Sequence, residues 1–266
     1  MRNEAHHNLL LGLIGRLERR PDFYETQPYF AVALSGAEVV AAAVMTPPFP
    51  LVLSLCDRDE AYEPLAADVY GYLPETTGVN SPSAKGFSNA WHHLTGDEQR
   101  LTLAERCYRL EHLNPPVGVS GAARLNAEAD LQLLIDWQLA YQREATPWEE
   151  GSRESVQRGV SLRLRLPPTL GGSFIWEDGG QPVCFAGFGS PTPNSMRIGP
   201  VYTPPEQRRR GYGSACTAAA CRHILESGKR FVTLFADLAN PTSNHIYQEL
   251  GFEPVCDAEL IRFGGR

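Results

Sequence analysis

Apolar residues recur along this chain with two different periods, and the switches between them lay out its elements. In residues 4–20, Leu9, Leu10, Ile14 and Leu17 fall on one face of a 3.6-residue repeat, which predicts an amphipathic helix. Residues 30–34 and 39–45 are strand-length apolar runs flanking Ser35-Gly36-Ala37, and they predict a hairpin. A third strand is predicted over 51–55, after Pro47-Pro48, with helices over 59–70 and 83–94. A short strand over 107–113 ends at Asn114-Pro115-Pro116, where neither helix nor ladder continues. We place a domain boundary there, giving a lobe of residues 1–116 and a second of 117–266.

The second lobe opens with a helical stripe, Leu131, Leu134, Ile135 and Leu139, within residues 127–144. Runs at 174–177 and 183–188 flank Asp178-Gly179-Gly180, a hairpin turn composition. The next strand, 196–203, contains Pro200, which cannot donate to a ladder, so an edge, bulge or splayed position is expected. An alanine-rich helix (214–226), a strand (231–236), a helix (242–250) ended by Gly251, and a last strand within 252–263 complete the pattern.

Composition narrows the function classes. The 266 residues are 42% hydrophobic and carry a net charge of −7, ordinary for a globular protein and opposed to the broad basic surface of nonspecific nucleic-acid binders. Residues 9–14 are interrupted by Gly12 and too short to span a bilayer, so no membrane association and a cytoplasmic location are expected. Cys56, Cys107, Cys184, Cys216, Cys221 and Cys256 form no C-x-x-C pair and read as buried free thiols rather than metal ligands. His92-His93 has no partner cluster, and no metal site is expected.

Against the acidic balance stands Arg208-Arg209-Arg210-Gly211-Tyr212-Gly213, between a strand and a helix start. Gly211 and Gly213 let the backbone curl so that several N–H groups point inward, and the positive end of the helix dipole adds to them. The loop reads as an anion cradle suited to a pyrophosphate. Cys216 stands where a dinucleotide fingerprint needs Gly or Ala, and no G-x-x-x-x-G-K-[ST] occurs, which disfavours a nicotinamide enzyme and excludes a P-loop NTPase at motif level.

The two halves share a skeleton. Gly36, Val39, Ala42 and Pro47 match Gly180, Val183, Ala186 and Pro191 in residue and spacing, while Asn80, Ser83 and Phe87 share their spacing with Asn240, Ser243 and Tyr247. The stretch missing from the first half lies where the second carries its glycine loop. An internal duplication with a degenerate first copy is the expectation.

Arg208-x-x-Gly211-x-Gly213 after a strand, then Asn240, Tyr247 and Leu250-Gly251-Phe252 in order, resemble the GCN5-related N-acetyltransferase (GNAT) family over residues 127–263. The resemblance implies an α+β, mixed-sheet tandem GNAT fold, a catalytic second lobe and acetyl-CoA as cosubstrate. It places the pyrophosphate on loop amides at Arg209, Arg210, Gly211, Tyr212, Gly213 and Ser214 beside Arg208, and pantetheine between strands containing Val201, Tyr202, Thr203 and residues 231–237. It assigns Asn240 to the pantetheine arm and Tyr247 to the sulfur. Tandem members with a degenerate first copy also occur in the family.

Acyl transfer to an amine requires a neutral nucleophile, oxyanion stabilisation and a proton for the departing thiolate. A tyrosine, with an ordinary pKa of about 10, can supply that proton at neutral pH. Asp237, Glu144, Glu149 and Glu150 stand as candidates for the base, and Trp137, Tyr141 and Trp148 as walls of an acceptor pocket. Phe235 occupies the position where some protein-acetylating relatives carry a glutamate, which points to a small-molecule amine acceptor rather than a ribosomal protein. A noncatalytic acyl-CoA-binding or sensing module is the alternative.

Overall fold

The computed structural model describes residues 2–24, 26–148 and 152–264. Among them are eight α-helices and eleven strands that mix parallel and antiparallel pairing, an α+β architecture. Unit 1 comprises Met1–Cys107, Phe235–Pro241 and Pro254–Arg266, and unit 2 comprises Tyr108–Leu234 and Thr242–Glu253. The boundary expected at Asn114-Pro115-Pro116 lies a few residues past the Cys107/Tyr108 division. Two C-terminal segments return to unit 1, so the division in space is not a single cut in the sequence.

In unit 1 the first helical stripe forms α1 (Arg2–His6) and α2 (Asn8–Arg19). Strands β1 (Tyr29–Ser35) and β2 (Glu38–Met45) form the expected hairpin, closed by a two-residue turn in which Gly36 takes φ +62°. Beyond it β3 (Leu51–Leu53) runs antiparallel to β2. Helix α3 (Tyr62–Tyr72) then leads to β4 (Gly78–Ser81), parallel to β3, and α4 (Ala84–Thr95) leads to β5 (Glu98–Leu110), which carries the chain into unit 2. The last strand, β11 (Glu253–Gly264), pairs antiparallel with β4 from Glu259–Ser81 to Arg262–Gly78. The core gathers Met45, Leu51, Val79, Phe87, Trp91 and Ile261, with Trp91 stacked on Phe263 at 5.3 Å. Each large side chain so buried contributes about 1.5–3 kcal/mol.

Unit 2 contains β6 (Ala122–Leu125), α5 (Leu131–Ala145), α6 (Arg153–Leu164), β7 (Gly172–Asp178), β8 (Gln181–Gly189), β9 (Ser195–Tyr202), α7 (Tyr212–Glu226), most of β10 (Phe231–Asp237) and most of α8 (Pro241–Glu249). Strands β6 to β9 pair antiparallel in sequence order, and β10 joins β9 in parallel. Leu134, Ile135, Val156, Val160, Ile175, Phe185 and Tyr202 form the core beneath α5 and α6. Helix α6 and strand β6 are additions to the sequence reading. α6 starts at Ser152, whose hydroxyl accepts the Ser155 N–H at 3.1 Å, and it buries only Val156 and Val160.

Both units follow one order: hairpin, antiparallel strand, helix, parallel strand, helix. The hairpins also carry the same irregularity. Val40 and Val183 are the extra residues of bulges placed identically relative to a two-residue turn. The structural equivalence is therefore Gly36 with Gly179 and Val40 with Val183, one residue off the spacing match read from sequence. Turn length sets hairpin register, and the shared glycine composition does not.

Strand β9 has a bulge at Pro200, one of the three arrangements expected there. Ala186 pairs with Val201 and Phe188 with Ile198, so Gly199 and Pro200 stand opposite Gly187 alone. A Cβ at Gly187 would lie 2.9 Å from the Gly199 carbonyl oxygen, which explains a glycine there. Pairing of β9 with β10 runs over three residue pairs, from Ser195–Phe231 to Arg197–Thr233.

Candidate active site

Helix α7 begins in unit 2 with an unusual approach. Leaving β9 through Thr203 and Pro204, the chain makes a 3-10 turn (Pro205–Gln207). Arg208 is extended, Arg209 takes φ +64°, and Gly211, at the N-cap, takes φ +81°. Non-glycine residues seldom hold a left-handed conformation, so Arg209 marks a backbone dictated by its surroundings. The first helical bond is Ala215 N–H to the Gly211 carbonyl at 3.0 Å. A glycine N-cap has no side chain to bond the first-turn amides, which with the helix dipole leaves donors suited to an anion. Gly211 is fitted closely: a Cβ there would stand 2.9 Å from Val119 Cγ2. At Gly213 the corresponding contact is Thr203 Oγ1 at 3.4 Å.

The side chains around this loop divide into distinct roles. Arg208 donates through Nε to the Thr203 carbonyl at 2.9 Å and through Nη2 to Glu144 Oε2 at 2.6 Å, with its guanidinium carbon 5.8 Å from the centre of the Tyr202 ring. The Tyr202 hydroxyl donates to Glu144 Oε1 at 3.3 Å, and desolvation followed by the Glu144 charge raises its pKa. Tyr212 is buried, with its hydroxyl donating to Asp178 Oδ2 at 2.5 Å. That bond, then one from Ser120, holds the Asp178 carboxyl below its ordinary value. Tyr212 therefore offers the cradle its backbone, and Arg208 is tied to α5. Arg209, Arg210 and Gly211 are exposed, while Val201, Thr203, Gly213 and Ser214 are half-buried.

Tyr247 lies on α8 in unit 2, 5.9 Å from the Phe252 ring and 6.4 Å from the Tyr108 ring, whose hydroxyl donates to Asn244 Oδ1 at 2.8 Å. The residue is half-buried. Burial first, then the charges of Tyr141, Cys184 and Cys221, pushes its pKa well above the ordinary value, so the protonated form is favoured. Gly251, at φ +98°, ends the helix where a Cβ would stand 2.6 Å from the His112 carbonyl oxygen. In unit 1, Asn240 is exposed before α8, its N–H donating to the Asp237 carbonyl at 3.0 Å, while Asp237 Oδ1 accepts the Ala239 N–H.

Of the base candidates, Glu144 is paired with Arg208 and Asp237 braces its own turn, while Glu149 and Glu150 lie outside the described residues. Trp137 stacks on Phe185 at 6.0 Å and stands 6.5 Å from Tyr202. The sequence reading missed the Glu144–Arg208–Tyr202 group as a unit. Its only local signal is that Trp137, Tyr141 and Glu144 fall on one helical stripe. Cys56, Cys107, Cys184, Cys216 and Cys221 are buried and Cys256 partly so, all as free thiols. Among the described residues no group of three or more His, Cys, Asp or Glu could hold a metal, and no helix is long and apolar enough to cross a membrane.

Residues 132–252 match the model of the acetyltransferase (GNAT) family. A GCN5-related N-acetyltransferase from Kribbella flavida is similar in structure, with a TM-score of 0.66 at 16% identity, covering 98% of this chain and 96% of that one. A tandem GNAT protein from the clavulanic acid biosynthesis pathway is similar at a TM-score of 0.58 and 16% identity, covering 96% and 88%. At these identities the likeness establishes the fold. The mycothiol acetyltransferase of Kocuria rhizophila is 38% identical over 63 residues, which span 23% of this chain and 21% of that protein's length.

Proposed function

We propose that this chain, whose residues 132–252 match the acetyltransferase (GNAT) family model, transfers an acetyl group from acetyl-CoA to the amine of a small molecule in the cytoplasm. The observation that carries the reading is the backbone of residues 208–214. Left-handed Arg209 and Gly211 bring the chain to α7 with first-turn amides that no side chain caps, in a loop fitted so closely at Gly211 that a Cβ would crowd Val119. Such a curl of N–H groups suits a pyrophosphate. The donor, when bound, supplies the thioester.

The remaining work falls to the chain. Backbone groups of Val201, Tyr202 and Thr203, beyond the last β9–β10 pair, are proposed to hold the pantetheine arm. Tyr247 is proposed to give its proton to the departing sulfur, the role the motif spacing from Asn240 assigns to it; its hydroxyl is protonated throughout the neutral range. Phe235 in place of an acidic residue favours a small acceptor over a ribosomal protein.

Free-thiol release from acetyl-CoA against a panel of amines tests the reading, with Tyr247→Phe as its control. The expected result is turnover of at least one amine by the wild type and a fall in kcat of about 10²- to 10⁴-fold in the variant, with acetyl-CoA affinity nearly unchanged. Wild-type speed in the variant, where chemistry limits the rate, would take the proton transfer away from Tyr247. Tight binding without turnover of any amine would favour a noncatalytic acyl-CoA-binding module.

A further inference from the structure

We propose that the Glu144 carboxylate and the ring face of Tyr202 form a cation site, held by Arg208 in this structure, that passes to a non-reacting ammonium group of the acceptor when Arg208 turns to a phosphate of acetyl-CoA. The inference rests on the acetyltransferase reading above and adds to it a residue that selects the acceptor. Glu144 lies in the last turn of α5, where the negative end of the helix dipole disfavours a carboxylate and makes a cationic partner valuable. Arg208 fills that role, with Nη2 2.6 Å from Glu144 Oε2 and the guanidinium over the Tyr202 ring at 5.8 Å. The Tyr202 hydroxyl holds the other carboxylate oxygen at 3.3 Å, and Trp137 stands beside Tyr202 at 6.5 Å. A carboxylate beside an aromatic ring whose face is open to a cation binds an alkylammonium by the same chemistry as a guanidinium.

Arg208 is also placed to leave. It immediately precedes Arg209, the left-handed residue that leads into the α7 amides, so a turn of its side chain away from Glu144 and the Thr203 carbonyl would bring the guanidinium toward that loop. The side chains of Arg208 and Glu144 are 43% and 46% exposed, and a pair this open is held only weakly. A phosphate offers the guanidinium a bidentate, charge-assisted contact that can outbid it. The carboxylate released by that exchange keeps the Tyr202 hydroxyl and regains a cation by taking an ammonium of the acceptor other than the amine that is acetylated, which must be neutral to attack. Donor binding thus prepares acceptor binding.

Calorimetric titration of acetyl-CoA into wild type, Glu144→Gln, Arg208→Ala and the double variant tests the exchange. Glu144→Gln removes the competing anion and should tighten acetyl-CoA binding by about two- to fivefold, the weight of one exposed ion pair. The gain should vanish in the Arg208→Ala background. At saturating acetyl-CoA, Glu144→Gln should raise KM for the best amine of the panel by about tenfold or more, with a smaller effect on kcat, and Glu144→Asp should restore part of it. Weaker acetyl-CoA binding by Glu144→Gln, a gain that survives Arg208→Ala, or an unchanged amine KM would each overturn the proposal while leaving the acetyltransferase reading intact. A wild-type chain that fails to bind acetyl-CoA would overturn both.

Discussion

Gly211→Ala should destabilise the protein, whereas Gly213→Ala, two residues along the same loop, should not. At Gly211 the backbone sits at φ +81°, where an L-residue costs about 1–2 kcal/mol. The new methyl would also stand 2.9 Å from Val119 Cγ2, so that half-buried side chain must give way. Lower entropy of the unfolded alanine chain offsets about 0.4–1 kcal/mol, leaving a net loss of about 1–2 kcal/mol once the contact is included. For a chain of this size that corresponds to a drop in Tm of about 2–8 °C. At Gly213 the backbone is ordinary helix and a Cβ meets Thr203 Oγ1 at 3.4 Å, a tolerable contact, while helix propensity favours alanine by up to about 1 kcal/mol. Thermal unfolding followed by circular dichroism separates the two. An unshifted Tm for Gly211→Ala, or equal drops for both variants, would refute the argument that the left-handed N-cap is what makes this glycine necessary.

Two further outcomes follow from the same geometry. Asp130 accepts from Arg124 Nη1 and Nη2 at 2.7 and 2.8 Å and from the Ala127 N–H at 2.7 Å, and Arg124 holds its carboxyl below the ordinary value. Asp130→Asn should therefore cost about 1–3 kcal/mol in urea unfolding at pH 7. Because the folded-state pKa is depressed, that difference should be full above the ordinary value near 3.9 and close as the pH falls through the lower folded value; a gap that persists in acid would exclude the ion pair as its source. In unit 1 the connection from β3 to α3 carries Asp57, Arg58, Asp59 and Glu60 where unit 2 has three successive arginines, and Phe87, matched to Tyr247 by sequence spacing, is a buried fourth residue of α4 whereas Tyr247 is the seventh of α8. Titration should give one acetyl-CoA per chain, and two equivalent sites would contradict the assignment of unit 1 as the degenerate copy.

The sequence by itself determined what depends on neighbouring residues. Gly36 and Gly179-Gly180 announced the hairpins because those turns need positive φ, Pro200 announced an irregular ladder because it cannot donate, and Gly211 announced the turn into α7 because glycine takes that backbone at low cost. Polar segments were harder to read. Strand β5 begins at Glu98, well before the predicted residue 107, because its first residues are exposed and show no apolar run, and α6 hides behind a stripe of only two buried valines. Tertiary structure alone decided which distant groups meet. Glu144 and Arg208 are 64 residues apart, and nothing local ties the end of α5 to the cradle. Tyr212 and Asp178 meet across 34 residues, and Arg106 reaches Asp257 from β5 to β11. The choice of β4 as the partner of β11 is of the same kind: alternation along a strand marks which face is buried, while the partner at its edge is set by where the rest of the chain has already gone.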